Sequence, residues 1–231
     1  MREAAGTAEL RAVSYLRAQS FYSCPPDRSE FSKRSFLRMK ADATWAELER
    51  RAAGEDAAAD GWVAVTTLIA VATSTGGGGG VQDLRADLAD GSCTLPARDG
   101  ASPSVVVGGL DVNVGAKLPA EELIGREPAG GGAALLRAYL SNVCVLPAAR
   151  RRGLGKALVL DGARRAAAAG VSDLYVHVVA DNEPARRLYQ AQCGFQVEQE
   201  EGEAVARALN RPRRLLLHLP VGGGTAARLG G

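Results

Sequence analysis

The sequence contains few of the residues that bind metals or form disulfides. Its 231 residues include two histidines and four cysteines, and the cysteines lie far apart with no C-x-x-C pair. Structural zinc sites usually take their ligands in such close pairs, so we expect no metal site. A disulfide framework is also not expected in a chain of this length, which predicts reduced thiols in a reducing compartment.

Long hydrophobic runs and an excess of one charge are also missing. No apolar run approaches the ~20 residues that span a bilayer, and the opening segment, MREAAGTAELRAV, lacks the apolar stretch of a signal peptide. The 28 basic and 26 acidic residues nearly cancel, giving a net charge of +2. These features predict neither a membrane partner nor a nucleic-acid partner.

The pattern of strands and helices predicts one α/β (α+β) domain over residues 8–220, with a mixed sheet and helices on both faces. A strand running into a helix is predicted at Leu10–Tyr22, and a long helix from Ser29 to about Arg51. The buried stripe of that helix is predicted to contain Phe31, Phe36, Met39, Trp45 and Leu48. Further strands are predicted at Trp62–Val71, Val105–Val114, Ala134–Val145, Asp173–Val179, Phe195–Gln199 and Arg213–Leu219, and further helices at Gly153–Ala169 and Glu183–Gln192.

Two glycine-rich segments are predicted to lie outside regular structure. Ser74–Ser104 contains five successive glycines and few large apolar residues, which is typical of a flexible insert. The tail at residues 221–231 is also rich in glycine and is predicted to be disordered.

The segment from Val145 to Leu158 has the features of a phosphate-binding loop. A predicted strand ends before Pro147, three arginines follow, and Gly-x-Gly begins a helix. The start of a helix presents unpaired N–H groups and the positive end of its dipole. Gly153 and Gly155 carry no Cβ atom that would block a phosphate, and the neighbouring basic side chains add positive charge.

Two common nucleotide-binding motifs do not fit this loop. A P-loop requires G-x-x-x-x-G-K-[ST], but Arg150 occupies the first glycine position and Ala157 follows the lysine. A Rossmann fingerprint requires G-x-G-x-x-G, but Leu158 occupies the third glycine position.

The loop does resemble the coenzyme A loop of the GNAT family of N-acetyltransferases. That family has a strand, then V-x-P-x-x-[RQ]-x-x-G-x-[GA], then a helix, and Val145, Pro147, Arg150, Gly153 and Gly155 match the pattern. The resemblance implies the GNAT fold, with acetyl-CoA as cosubstrate and no metal. It implies contacts to coenzyme A from Val143, Cys144, Val145, Arg150, Arg151, Arg152, Gly153, Leu154, Gly155, Lys156, Asn182 and Tyr189.

A second GNAT-like segment lies between Asp173 and Phe195. The family has a strand, then N-x-x-A-x-x-L-Y and, further on, G-F, which are supplied by Asn182, Ala185, Leu188, Tyr189, Gly194 and Phe195. The resemblance implies that Asn182 helps to hold the pantetheine arm. Seven residues make nearly two helical turns, which places Asn182 and Tyr189 on the same side. The spacing from Tyr189 to Gly194 is one residue longer than usual, and we expect the extra residue to bulge beyond Tyr189.

The resemblance also suggests catalytic residues. Acetyl transfer needs an acid for the leaving thiolate, and Tyr189 is the candidate because its unperturbed pKa near ~10 is close to that of a thiol. His177, five residues before Asn182, is the candidate base. Strand alternation places it on one face with Tyr175 and Val179. Because the cysteines lack a convincing triad, direct attack by the amine is favoured over an acyl-cysteine.

The acceptor is predicted from a wider resemblance. The regions 10–45, 107–118 and 211–219 look like plastid-type GNAT proteins of plants and green algae. Such proteins acetylate protein N-termini and, in several cases, lysine side chains, so a protein or peptide substrate and the chloroplast stroma are implied. An α-amine is also the easier target, because deprotonating it near neutral pH costs about two pK units less than deprotonating lysine.

Two alternatives remain open. One is a GNAT enzyme for a small amine, whose cationic substrate would be bound by carboxylates such as Glu121 and Glu122 in the predicted loop Lys117–Gly132. The other is a catalytically silent coenzyme A-binding module.

Overall fold

Eight strands form one mixed sheet in the computed structural model, which describes residues 1–53, 62–73, 92–97, 104–119, 121 and 136–222. The strands are β1 (Arg2–Glu3), β2 (Trp62–Thr73), β3 (Thr94–Leu95), β4 (Ser104–Gly115), β5 (Arg137–Val145), β6 (Asp173–Val179), β7 (Gln196–Glu200) and β8 (Arg214–Pro220). Their order is β1-β2-β4-β5-β6-β8-β7, and β3 pairs with β4. Because β5 and β6 are parallel while β6 and β8 are antiparallel, the predicted mixed sheet is confirmed.

The helices are α1 (Thr7–Phe21), α2 (Glu30–Ala52), α3 (Leu154–Ala168), α4 (Glu183–Arg186) and α5 (Glu203–Ala208). A short 3-10 turn covers Pro147–Ala149, and a π-helical turn covers Arg187–Gln192. No helix among the described residues is both long and apolar enough to cross a membrane. The sequence did not predict α5.

Contacts divide the chain into two compact units. The first contains Met1–Asp56, Thr67–Leu110 and Asn142–Leu158, and the second contains Ala57–Thr66, Asp111–Ser141 and Val159–Gly231. The single domain over residues 8–220 stays a prediction. Most of the predicted insert Ser74–Ser104 and the tail from residue 223 lie outside the described residues, but Thr94 and Leu95 pair with β4.

Two adjacent glycines on β4 allow helices to pack closely in the first unit. A Cβ atom on Gly108 would lie 2.9 Å from Leu158 Cδ1 of α3, and one on Gly109 would lie 2.8 Å from Val13 Cγ2 of α1. Successive strand residues point to opposite faces. The strand is therefore covered by α3 on one face and by α1 on the other, and a Cβ atom at either position would force Leu158 or Val13 to shift.

The predicted strand at the start of Leu10–Tyr22 is wrong, because this segment is helical from Thr7. Leu10, Val13 and Leu16 are buried at three-residue spacing, which suits a helix. The Glu9 carboxylate accepts a hydrogen bond from the Ala5 N–H at 2.7 Å and pairs with Arg2. This contact satisfies the backbone donor just before the N-cap, Gly6, which has no side chain to cap the helix.

The predicted long helix is confirmed as α2, but its buried stripe was partly wrong. Ser29 caps the helix by accepting from the Ser32 N–H, and Leu48 is buried. Phe31 and Met39 are instead 81% and 55% exposed. The buried stripe follows Ala41 and Leu48, which are seven residues apart, and Met39 lies about 160° around the helix from Ala41.

In the second unit, Glu201 joins the two ends of the β7–β8 connection. Its side chain is fully buried and accepts from Arg211 Nη1 at 2.8 Å and from the Arg214 backbone N–H at 3.1 Å. Burial raises the pKa of this carboxyl, but the hydrogen bonds and charges of Arg211 and Arg214 outweigh that effect and lower its pKa overall. The ionised carboxylate therefore stabilises the connection that contains α5.

We expect Glu201→Gln to lower the free energy of unfolding by about 2 kcal/mol at pH 7, the range for a hydrogen bond to a charged group. A lowered carboxyl pKa stabilises the fold above the unfolded value of 4.5, and this contribution is lost as the pH falls through the folded pKa. The difference between the two proteins in urea titrations should therefore shrink in acid. Glu200→Gln is the control, since Glu200 is half exposed and lies 3.5 Å from Arg213. Equal losses in both variants would contradict the role of Glu201.

Candidate functional site

The predicted phosphate loop connects β5 to α3 in the first unit. The Arg150 Nε donates to the Val145 carbonyl at 3.0 Å, and the Leu146 N–H donates to the Val107 carbonyl at 2.8 Å. These two hydrogen bonds fix the start of the loop. Arg151 and Gly153 have positive φ angles of 63° and 78°. Such alternation turns successive N–H groups toward one side, as in the backbone concavities that bind anions.

The start of α3 supplies further donors. The Ala157 N–H donates to the Gly153 carbonyl at 3.0 Å, so the N–H groups of residues 154–156 precede the helical hydrogen-bond ladder. No atom of the described residues lies within 4 Å of the place where a Gly153 Cβ would stand. Arg151, Arg152 and Lys156 are exposed. The loop therefore fits a diphosphate, and glycine is favoured at 153 by its backbone angle.

The strand before the loop departs from regular geometry at Asn142. This residue lies in β5 with a φ of 55°, in the left-handed region. Such a residue turns its peptide groups away from the regular ladder. Of the backbone groups predicted to contact pantetheine at Val143, Cys144 and Val145, the Val145 carbonyl is already engaged by Arg150.

One face of the sheet in the second unit carries the predicted base. Antiparallel register places His177 opposite Leu216 and Tyr175 opposite His218, and the rings of Tyr175 and His218 stack with centroids 4.9 Å apart. Tyr175 and His177 therefore share a face, as predicted from strand alternation. We call this the His177 face.

Tyr139 is a neighbour of His177 that the sequence did not identify. It lies on β5, its hydroxyl is 3.0 Å from His177 Nδ1, and Trp62 stacks on its ring at 6.3 Å. The parallel register pairs Tyr139 with Tyr175, two residues before His177. A tyrosine within a predicted strand was the only signal in the sequence, because the register between the strands was unknown.

The surroundings of Tyr139 and His177 keep both side chains uncharged at neutral pH. Burial raises the pKa of Tyr139, partly offset by the contact with His177 and by the charge of Arg214. Burial and then the positive charges of Arg214 and Arg211 lower the pKa of His177 to about 4, and Glu201 opposes them. Its Nε2 atom is buried and has no hydrogen-bond partner among the described residues. At neutral pH, His177 is thus an uncharged imidazole and a weaker base than free histidine.

The helical segment that contains Tyr189 is wider than expected. It begins as α4, with the Asn182 side chain accepting from the Ala185 N–H at 3.2 Å, and continues as the π-helical turn Arg187–Gln192. A single inserted residue commonly produces such a turn. The extra residue was predicted to bulge beyond Tyr189, but the turn instead surrounds Tyr189. The inference that Asn182 and Tyr189 share a side assumed 3.6 residues per turn throughout, and it stays a prediction, because the π-helical turn changes that spacing only from Arg187 onward.

Tyr189 is itself nearly buried within this turn. Its side chain is 6% exposed, its ring meets the ring of Phe195 edge-on at 5.6 Å, and its carbonyl accepts from the Phe195 N–H at 3.0 Å. The cap at Asn182 uses the amide oxygen, so the NH₂ group is the part that could donate to a pantetheine carbonyl.

Of the two glutamates that could bind a cationic amine, Glu121 is already paired with another side chain. Glu121 is buried and lies 2.5 Å from Arg137 Nη1, so its charge is already neutralised. Glu122 lies outside the described residues. In the part of the chain that the structure describes, no three His, Cys, Asp or Glu side chains are grouped to hold a metal.

Comparisons with known proteins give the family and the fold that this chain resembles. The model of the acetyltransferase (GNAT) family matches residues 86–195. The chain is 36% identical, over 94% of its own length and 74% of the relative, to GCN5-related N-acetyltransferase 7, chloroplastic, of Arabidopsis thaliana. A GNAT-family crystal structure from Desulfovibrio desulfuricans matches with a TM-score of 0.53 at 16% identity, covering 95% of this chain and 97% of that one.

A second crystal structure, the PaiA N-acetyltransferase of Thermoplasma acidophilum in complex with coenzyme A, matches with a TM-score of 0.50 at 14% identity. It covers 95% of this chain and 99% of that one. At such low identity, both structures support the fold alone.

We expect the His177 imidazole to titrate with a midpoint near 4 in NMR spectra of the folded protein. Arg214→Gln should raise this midpoint, because one positive charge is removed, but leave it below 6.5, because burial remains. His218→Gln assigns the signals, since the chain has two histidines. A wild-type midpoint near 6.5 would contradict the buried, neutral state.

Proposed function

Because this chain belongs to the GNAT acetyltransferase family, we propose that it transfers the acetyl group of acetyl-CoA to the α-amines of protein N-termini, with lysine ε-amines as a second class of acceptor. The enzyme is an acyltransferase, and its fold is the acetyl-CoA-binding fold of that family. The main support for the cosubstrate is the loop at 150–156, whose donors and open glycine fit a diphosphate. Acetyl-CoA supplies the acetyl group in an activated thioester.

The loop residues bind the anionic part of the cosubstrate. The N–H groups of residues 154–156 donate to phosphate oxygens, and Arg151, Arg152 and Lys156 add charge. The Arg150 side chain is oriented by its bond to the Val145 carbonyl, which leaves its terminal nitrogens as donors. Backbone N–H groups near Val145 polarise the thioester carbonyl, and the amide NH₂ of Asn182 holds the pantetheine arm.

Tyr139 and His177 act together on the amine. An imidazole with a pKa near 4 cannot take a proton from a free ammonium group. Protonating this imidazole at pH 7 alone costs on the order of 4 kcal/mol, and removing the proton from the ammonium group adds to that cost. The nitrogen becomes far more acidic once it bonds to the acetyl carbon, and a weak neutral base then suffices. Tyr139 fixes the ring of His177 through the Nδ1 contact of 3.0 Å.

Tyr189 gives its hydroxyl proton to the leaving thiolate. A phenol and a thiol differ by about 1.5 pK units, so the transfer is not far from balanced. Its burial and its edge contact with Phe195 restrict the ring to one orientation. A silent coenzyme A-binding module is disfavoured, because a protein that only binds coenzyme A would not need the buried Tyr139–His177 pair.

Protein N-termini are the favoured acceptors for two reasons. An α-amine loses its proton near pH 8 and a lysine near 10.4, so the weak base suits the former. The small-amine alternative loses support, since Glu121 is paired with Arg137. We also propose the chloroplast as the compartment, because the Arabidopsis relative is named chloroplastic.

The first test is mass spectrometry of a mixed peptide library after incubation with isotope-labelled acetyl-CoA. We expect label on peptide α-amines, with kcat lowered about 100-fold or more in Tyr189→Phe and in His177→Ala, since general acid–base catalysis contributes that much. Tyr139→Phe should lower it less, because the imidazole remains. The matched controls are Tyr175→Phe and His218→Ala, which change the stacked pair on the same face. No label above the uncatalysed background, with coenzyme A still bound, would refute peptide acetylation.

The loop is tested with a second pair of variants. Gly153→Ala should raise the KM for acetyl-CoA several-fold, because alanine at a φ of 78° costs about 1–2 kcal/mol and distorts the anion-binding backbone. Gly170→Ala is the control, since Gly170 has the same φ of 78° but follows the other end of α3. It should lower the melting temperature and leave the KM unchanged. A raised KM in both variants would contradict a specific role for the loop.

A further inference from the structure

An arginine on β8 lies next to His177 on the His177 face. The antiparallel register pairs Arg214 with Val179 and Leu216 with His177, so Arg214 is the diagonal neighbour of the histidine. Diagonal neighbours in an antiparallel pair lie about 7–8 Å apart, within reach of a long side chain. The charge of Arg214 is also the largest electrostatic influence on His177 after burial.

The hydrogen-bonding groups of Arg214 are not fully used. Its Nε atom is buried, and no described residue accepts a hydrogen bond from it. Its Nη2 atom lies 3.6 Å from the Glu201 carboxylate, which is too far for a hydrogen bond. Glu201 already accepts from Arg211 and from the backbone of Arg214. The terminal nitrogens of this guanidinium, whose side chain is 26% exposed, can therefore take a further acceptor.

The charged groups that act on His177 are mostly positive. Arg211 and Arg214 both disfavour its protonation, and Glu201 alone opposes them. Among the charged groups that shift the pKa of His177, two cations therefore stand against one carboxylate. A polycationic amine would be repelled here, whereas a substrate that brings a carboxylate would complete the pairing.

We propose that Arg214 selects acceptor peptides that carry an aspartate or glutamate at the first or second residue. This inference rests on the proposed function, because it places the acceptor amine beside His177. The carboxylate of either residue lies within about two Cα spacings, ~7.6 Å, of the amine, which matches the distance between diagonal strand neighbours. The planar guanidinium can bind a carboxylate through two parallel hydrogen bonds from its terminal nitrogens.

The test compares two peptides that begin Met-Glu and Met-Gln and are otherwise identical. In the wild-type enzyme, kcat/KM for the glutamate peptide should exceed that for the glutamine peptide by about tenfold or more, as expected for a charged hydrogen bond. Arg214→Gln should reduce this ratio to near one, and Arg214→Lys should retain part of it. Arg213→Gln is the matched control, since Arg213 is the adjacent arginine, is more exposed and pairs with Glu200. It should keep the wild-type ratio.

The outcomes separate this inference from the proposed function. Acetylation of neither peptide would overturn the selection by Arg214, and the mixed peptide library shows separately whether any peptide is acetylated. Equal kcat/KM for both peptides in the wild type, or a ratio that survives in Arg214→Gln, would overturn the selection by Arg214 and leave the proposed function standing. If Arg214→Gln does not fold, the wild-type ratio is measured at low and high salt. The ratio should fall as salt screens the pairing, and a ratio that does not change with salt would overturn the inference.

Discussion

The position of β6 in the sheet determines which side chains meet in the second unit. This strand is parallel to β5 on one side and antiparallel to β8 on the other. The first pairing brings Tyr139 beside His177, although 38 residues separate them. The second pairing adds Arg214 from the end of the described chain. A slip of one residue in either pairing would turn these side chains to the opposite face and abolish the cluster.

The same cluster shows how burial and charge act together on one histidine. Taking an imidazole out of water favours its neutral form, and two nearby guanidinium groups add to that preference. The hydroxyl of Tyr139 then has a neutral ring nitrogen as its partner. Glu201 limits the accumulated positive charge, and it does so from a fully buried position that also closes the β7–β8 connection. The environment of His177 and the stability of the β7–β8 connection therefore depend on one carboxylate.

Much of the fold followed from patterns that act over short distances. The strand at Asp173–Val179, the helix after Gly153 and the capped helix after Ser29 were predicted closely, since hydrophobic period, glycine and capping residues define them locally. The burial of Phe31 and Met39 was predicted wrongly, because periodicity alone does not say which stripe of a helix meets its neighbour. The helix α5 was missed because it has only six residues.

The candidate site was predictable in its loop but not in its pairings. The phosphate loop is contiguous in sequence, so its proline, arginines and glycines could be recognised together. Tyr139 and Arg214 could not be found in this way, because their relation to His177 depends on strand register. The buried ion pair of Glu121 with Arg137 was also hidden, because it joins a residue between β4 and β5 to the start of β5.

The π-helical turn around Tyr189 affects how this protein should be aligned with other sequences. The turn takes up one residue between Asn182, which caps the helix, and Phe195, which packs on Tyr189. An alignment without a gap here must place either the cap or the packing residue one position out of register. In a regular helix one position is a rotation of about 100°, so a residue equated with Tyr189 by such an alignment would point in a different direction.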